Sequence, residues 1–399
     1  MKKGNNEGSI RKRSNGTWEG RYSDGRDKNG RQIQRSVYGK TRKEVADKLN
    51  AVLRDKQTGN YVAPSKFLLS DWLVHWLQKY ASITIRPSTY ISYEGYIYNH
   101  IIPVIGDIPI QQITPAIIQN FYNLKYESGR TDGKGGLSAK TIRNMHNMFH
   151  QAMEQARLNG IIPTNPTQGT VIPRQEKKEM RVLSVQEQAA LISVLHLHRL
   201  GFAILFDLAT GLRIGELCAL RWTDVNFNKC TIKISRTLQR IKKNMNELEE
   251  IDEDDDNFCM TNLVEGAVKT PKGYREIPIP QNIWAKLLRH RDIQIQEYTA
   301  LGVPIMPNGF VFAMPFGTCV EPHTMRDALN YLLAAAGIEH ANFHALRHTF
   351  ATRAIESGVN VKTLSDILGH STVQITMDLY CHSSIDLMRE SMDKMTALF

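Results

Sequence analysis

The spacing of apolar residues changes twice along this chain, each time across a short glycine- or proline-bearing segment, which confines the fold to a row of separate units. Residues 8–38 alternate polar and apolar positions around three dipeptides, Asn15-Gly16, Asp24-Gly25 and Asn29-Gly30. Such pairs supply the positive φ that tight hairpins demand, so three strands are expected near 8–13, 17–23 and 31–37. Thr41 then caps a helix carrying Val45, Leu49 and Leu53 towards Gly59. Beyond a linker around Gly59–Ser65 the period becomes helical, with Leu69, Trp72, Leu73, Trp76, Leu77 and Tyr80 in one stripe. Pro87-Ser88 opens a second helix and Thr114-Pro115 a third. A fourth covers 138–159, with Ile142, Met145, Phe149, Met153 and Ala156 inward, His146 and His150 on the surface, and Gly160 as the stop. The segment 161–180, with three prolines and a charge cluster, reads as a second linker.

After it the pattern is mixed. Ser184 and Glu187 have capping-box spacing, and a helix near 199–210 ends at Gly211. Strands are expected at 230–238 and 274–279, on either side of an acidic loop, Glu247 to Asp256. Helices follow near 323–336, 343–357, 360–368, 372–381 and 384–397. The last of these carries an apolar set: Ile385, Leu387, Met388, Met392, Met395 and Leu398. The chain thus reads as multidomain. A three-stranded sheet plus helix occupies 1–60, an all-α domain 66–165, and a mainly helical α+β domain 180–399.

Charge points to the partner. The 399 residues carry 50 Lys/Arg against 40 Asp/Glu, a net of +10. Residues 1–60 alone hold 16 against 7, a net of +9, while the acidic run holds 8 carboxylates. Such a distribution suits a polyanion, above all nucleic acid. Arg11, Lys12, Arg13, Trp18, Arg21, Tyr22 and Arg35 are too many for a narrow sheet to hide, so one face is expected to be basic and to enter a DNA groove. Lys140 and Arg143, early in the fourth helix, are candidate phosphate contacts. Five scattered cysteines without CxxC fit a reducing cytosol rather than a disulfide scaffold or zinc site. No apolar run reaches about 18 residues, and the start lacks a secretory core, so neither membrane nor export is expected.

Walker A, HExxH, GxSxG and strand-borne GxGxxG patterns are all missing. What stands out is a dispersed set: Arg213 in ATGLRIGEL, Lys269 in VKTPKGYREIPI, His344 and Arg347 in FHALRHTFAT, His370 in ILGHS, and Tyr380 in MDLYCH. The order Arg, Lys, His-x-x-Arg, His, Tyr resembles the active site of the tyrosine recombinase (phage integrase) family. The helical segment before it resembles the family's core-binding domain, and the basic start the arm-binding domain of integrases from conjugative transposons.

The chemistry explains the residue types. Arg213 and Arg347 can clamp the non-bridging oxygens of a phosphodiester and stay charged. Tyr380, with an ordinary pKa near ~10, must lose its proton to attack, which neighbouring cations favour. His344 and His370 add donors, and Lys269 would protonate the departing 5′ oxygen, with Lys272 on the same turn as its rival. His340, His344 and His348 recur every four residues, but Ala341-Asn342 as a helix start leaves His340 outside, so no metal is expected. The resemblance implies a site-specific recombinase storing the cut bond as a 3′-phosphotyrosine, without cofactor. It also implies double-stranded DNA with core- and arm-type sites, a homotetramer on DNA, and an excisionase or DNA-bending protein as accessory. Its place would be the bacterial cytosol, with the nucleoid. A type IB topoisomerase and a non-catalytic DNA-binding factor are the competing readings.

Overall fold

The computed structural model describes residues 8–58, 61–175, 180–242, 261–268, 271–380 and 393. The chain divides into two compact units, Met1–Glu176 and Lys177–Phe399, and the division falls inside the proline-bearing segment.

The first unit opens with an antiparallel sheet of β1 (Ser9–Lys12), β2 (Trp18–Arg26) and β3 (Gln32–Gly39), in that order. Gly16, Gly25 and Gly30 all take positive φ. Asp24-Gly25 is nevertheless no turn: it lies inside β2, where the register slips between Ser23 and Arg26, and so marks a bulge. Helix α1 (Arg42–Gln57) starts where Thr41 accepts the Glu44 amide, 3.2 Å away, and buries Val45 and Leu49 against one side of the sheet. The approach is close enough that a Cβ on Gly20 would sit 2.8 Å from Val45.

Cross-strand partners share a face, and the residues expected to make one face basic divide between the two. Tyr22 pairs with Arg35 and Lys12 with Trp18, all on the side of Gly20 that faces α1. Tyr22 is core, its hydroxyl 3.1 Å from that of Tyr61, and Arg35 and Lys56 are both held by Asp24. The open face carries Arg11 and Arg21, but Glu19 lies between them at 2.6 and 3.1 Å. Arg11, Ser36 and Arg21 together pull Glu19 down to about 2.

The rest of the unit is helical. α2 (Leu69–Trp76) runs on into a wider turn, 77–81, as α3 (Pro87–Tyr96) does over 97–101 before α4 (Ile102–Ile105). α5 (Pro115–Ser128) and α6 (Ala139–Leu158) begin at Thr114 and Ser138, whose hydroxyls accept amides three residues on. Trp72, Phe121, Tyr122, Phe149 and the expected inward residues of α6 form one core, and Trp72 donates its indole N–H to Ala152, 2.9 Å away. Two expectations change here. His146 and His150 are half-buried, bonded to the Tyr122 and Thr167 hydroxyls. The segment 161–169 also belongs to the domain, with Ile162 in the core and a turn at Pro166–Gly169.

In the second unit α7 (Val185–Val194) begins with the expected capping box at Ser184, and α8 (Gly201–Thr210) ends at left-handed Gly211. α9 (Ile214–Cys218) follows at once. Where one small sheet was expected there are two. β4 (Val225–Asn226), β5 (Thr231–Ile234) and β8 (Arg275–Pro278) form one, with Ile232 opposite Ile277. The chain leaves it at Ser235, and β6 (Arg236–Lys242) pairs instead with β7 (Thr261–Ala267). The acidic run Glu247 to Asp256 lies outside the described residues, as do Lys269 and the helix expected at 384–397 apart from Asp393. A long helix that the apolar spacing does not announce, α10 (Gln281–Leu301), packs through Ile283, Trp284, Leu287, Gln294 and Tyr298. α11 (Pro322–Ala335), α12 (His344–Glu356), α13 (Val361–Leu368) and α14 (Val373–Tyr380) complete the unit close to their expected bounds. Among the described residues, no helix is long and apolar enough to cross a membrane.

Candidate active site

The site is built where three helix ends meet. α8 stops because Gly211 adopts φ 62°, and a Cβ there would run into Phe350 and Leu368. The reversal buries Leu212 and leaves Arg213 as the residue capping α9. Three positions on, Glu216 accepts the Arg213 backbone N–H (3.1 Å) and its guanidinium (2.7 Å). Arg213 is therefore a helix start and a positioned cation at once.

On α12, His344 and Arg347 share a face, as their three-residue spacing requires. Arg347 is 2% exposed and donates to two helix-terminal carbonyls, Gly211 and Leu368, both at 2.7 Å. Burial and the nearby Arg213 cation pull it down to about 9, still charged at neutral pH. α13 ends at Gly369, φ 64°, whose carbonyl accepts from Arg213 at 3.2 Å. His370 follows, with Nδ1 2.8 Å from the Thr376 hydroxyl of α14. Tyr380 closes α14 one turn beyond Thr376.

Four of the six expected residues, Arg213, His344, Arg347 and His370, thus gather around the Gly211 and Gly369 turns. Lys269 lies outside the described residues, and Tyr380 is placed by its helix. Lys272 is exposed on the turn Pro271–Gly273, its carbonyl 2.9 Å from where a Gly369 Cβ would stand. Burial together with Arg347 and Arg213 brings His370 down to about 3. His344 reaches the surface, yet lost hydration on its inner side, with His348, Arg347 and Arg213, brings it to about 4. Both imidazoles are therefore neutral near pH 7, each with one ring nitrogen to donate and one to accept a hydrogen bond. Such a cluster presents fixed donors and at least two permanent cations to an oxyanion.

Three further residues belong to this arrangement. In the sequence, Glu216 is only the glutamate of ATGLRIGEL and Arg275 only the arginine of VKTPKGYREIPI. Arg275 is buried beside Glu216 (2.7 Å) and also donates to the Ile367 and Gly273 carbonyls. Asp207, a lone acid in the apolar run of α8, is fully buried, and neither of its oxygens has a hydrogen-bond partner. The DNA-contact candidates lie in the first unit, where Lys140 and Arg143 are exposed on the first turns of α6.

Residues 181–386 match the model of the phage integrase family, and residues 68–126 that of the phage integrase N-terminal SAM-like domain. A tyrosine recombinase XerC-like protein of Caldanaerobacter subterraneus subsp. tengcongensis is 32% identical over 368 residues, 90% of each chain. The chain belongs to the phage integrase family. Membership in this family makes it a tyrosine recombinase, an enzyme of site-specific DNA recombination. Two solved phage-integrase folds superpose well. The Tn1549 transposon integrase in complex with transposon right end DNA has TM-score 0.65 and 21% identity, over 83% of this chain and all of that one. A lambda integrase tetramer bound to a Holliday junction has TM-score 0.53 and 19% identity, over 93% and 94%.

Proposed function

We propose that this recombinase cuts and rejoins double-stranded DNA by direct attack of Tyr380 on a phosphodiester, leaving a 3′-phosphotyrosine and a free 5′ hydroxyl. The observation carrying this reading is the convergence of Arg213 and Arg347 on the Gly211 and Gly369 turns, with His370 tied to the helix that ends in Tyr380. The guanidiniums hold the non-bridging oxygens and offset the second negative charge that attack creates. A neutral His344 is available to take the phenol proton. Lys269 protonates the departing 5′ oxygen, and religation runs the same steps backwards, so no nucleotide cofactor enters.

The domain arrangement 1–60, 66–165 and 180–399 serves this chemistry as an arm-binding module, a core-binding domain and a catalytic domain. Arg11 and Arg21 on the open face of the sheet, with Lys12, Arg13 and Trp18 at its β1–β2 turn end, contact arm-type DNA. Lys140 and Arg143 contact core-site phosphates. Recombination needs four strand cuts, so four copies act together on paired core sites, and an excisionase or DNA-bending protein sets the direction. The substrate is a mobile element in the bacterial cytosol. The relatives' names favour this over topoisomerase action.

Tyr380→Phe decides the nucleophile, since it removes only the phenolic oxygen. Core-site binding should persist while covalent protein–DNA complexes vanish on denaturing gels. Complexes that survive the substitution would refute the assignment.

A further inference from the structure

Arg275 is a third arginine at this site, and its side chain is only 6% exposed. All three of its nitrogens are turned to protein acceptors: Nε to the Ile367 carbonyl (2.6 Å), Nη1 to the Gly273 carbonyl (3.1 Å), and Nη2 to Glu216 Oε2 (2.7 Å). Glu216 is shared. Its Oε1 takes Arg213 Nη1 at 2.7 Å and Arg275 Nη1 at 3.3 Å, and its Oε2 takes Arg275 Nη2 and the Arg213 backbone amide. Burial pushes the Glu216 carboxyl up, but Arg275 and Arg213 outweigh it and hold the group ionised.

The charges can then be counted. Arg213, Arg347 and Arg275 against Glu216 leave a net of +2. A phosphodiester carries one negative charge and the pentacovalent state formed on attack carries two. Without Arg275 the cluster falls to +1, and a carboxylate with only one guanidinium in reach closes on it as a bidentate pair. Arg213 would be turned from the phosphate towards Glu216.

We propose that Arg275 is a positioning residue that occupies Glu216 and so leaves the charge of Arg213 to the phosphate. This rests on the phosphodiester-cleavage reading above. It also explains why the fork is anchored twice more: the Ile367 and Gly273 carbonyls fix it between β8 and the end of α13, so that Glu216 cannot draw it towards Arg213.

The test measures single-turnover covalent complex formation by the full-length protein on its attachment-site duplex. Arg275→Gln should slow cleavage about 100-fold, the scale for losing one oriented charge at such a site. Adding Glu216→Gln to that variant removes the carboxylate that captures Arg213, and should restore at least tenfold of the loss. Arg275→Lys, which keeps the charge, should cleave faster than Arg275→Gln. Thermal melting and core-site binding identify variants that fold. A double variant no faster than Arg275→Gln, or a Lys variant as slow as the Gln one, overturns the proposal. If the parent protein itself forms no Tyr380-linked complex, the underlying reading fails instead, and the two failures are separable.

Discussion

Asp207 is a carboxylic acid with no exposed surface in the middle of α8, where leucine would be the ordinary choice. Burial pushes its pKa well above the usual carboxylate range, Arg347 pulling the other way and Glu216 adding to the rise. An acid whose folded pKa is raised contributes stability below its unfolded pKa and loses it as pH rises towards the folded one. His370 behaves oppositely. Its folded value of about 3 lies below the ordinary 6.5, so its contribution is complete above 6.5 and fades as pH falls towards 3. Urea melts of Asp207→Asn and His370→Gln should separate the two: the Asn variant gains on the parent as pH rises above about 4, and the Gln variant gains on it as pH falls below about 6.5. Differences that stay flat with pH would remove both residues from the titrating set. Arg213, His344, Arg347 and His370 were legible because phosphate chemistry asks for their residue types and their order resembles that of the phage integrase family. The sequence did not show Glu216 and Arg275 acting on one another, because that pairing joins residues 59 apart through a fold the spacing cannot reveal.

Helix ends, rather than helix faces, carry the site. Gly211 and Gly369 close α8 and α13 in the left-handed conformation, and each turn offers a carbonyl to a guanidinium. A Cβ at Gly369 would meet the Lys272 carbonyl at 2.9 Å and Arg275 at 3.0 Å, on a backbone that costs other L residues about 1–2 kcal/mol. Gly369→Ala should therefore lower stability by at least that amount and displace Arg275, cutting cleavage more than tenfold while core-site affinity holds. Cleavage at the parental rate would show that the turn has slack. Legibility at this scale followed local chemistry. Thr41, Thr114 and Ser184 announced their helices from the sequence, while the cap at Ser138 emerged only in the structure. α10 stayed hidden because its buried stripe, apolar at Ile283, Trp284 and Leu287, runs on through Gln294 and Tyr298 and loses its aliphatic period. β7, TNLVEGA, lacks the alternation of a strand, since the ribbon it forms with β6 buries little on its side.

Across the whole chain, the N-terminal module and the chemistry are far apart in sequence. The Gln111 side chain bonds Ala63 and Ser65, so 63–65 belong with the helical core and a truncation at residue 60 leaves them in place. Deleting 1–60 removes a net charge of +9. It should erase footprints at distal arm-type sites and flatten the salt dependence of binding by about 0.9 for each phosphate the module neutralises. Cleavage of a short core-site duplex should continue. Footprinting both proteins on one fragment checks this, and a uniform fall in affinity at every sequence would reduce the module to a basic tail. The bonds that assemble the catalytic unit have a different consequence. Arg347 to Gly211 spans 136 residues, Arg213 to Gly369 spans 156, Leu183 to Thr349 spans 166, and Arg353 to Leu183 spans 170. Pairings this non-local are slow to form, because chain entropy is given up before they repay it. In refolding experiments, helical signal should therefore return before cleavage activity does. Until those bonds close, Arg213 and Arg347 have no shared turn to converge on, so cleavage should depend on the whole catalytic unit having folded.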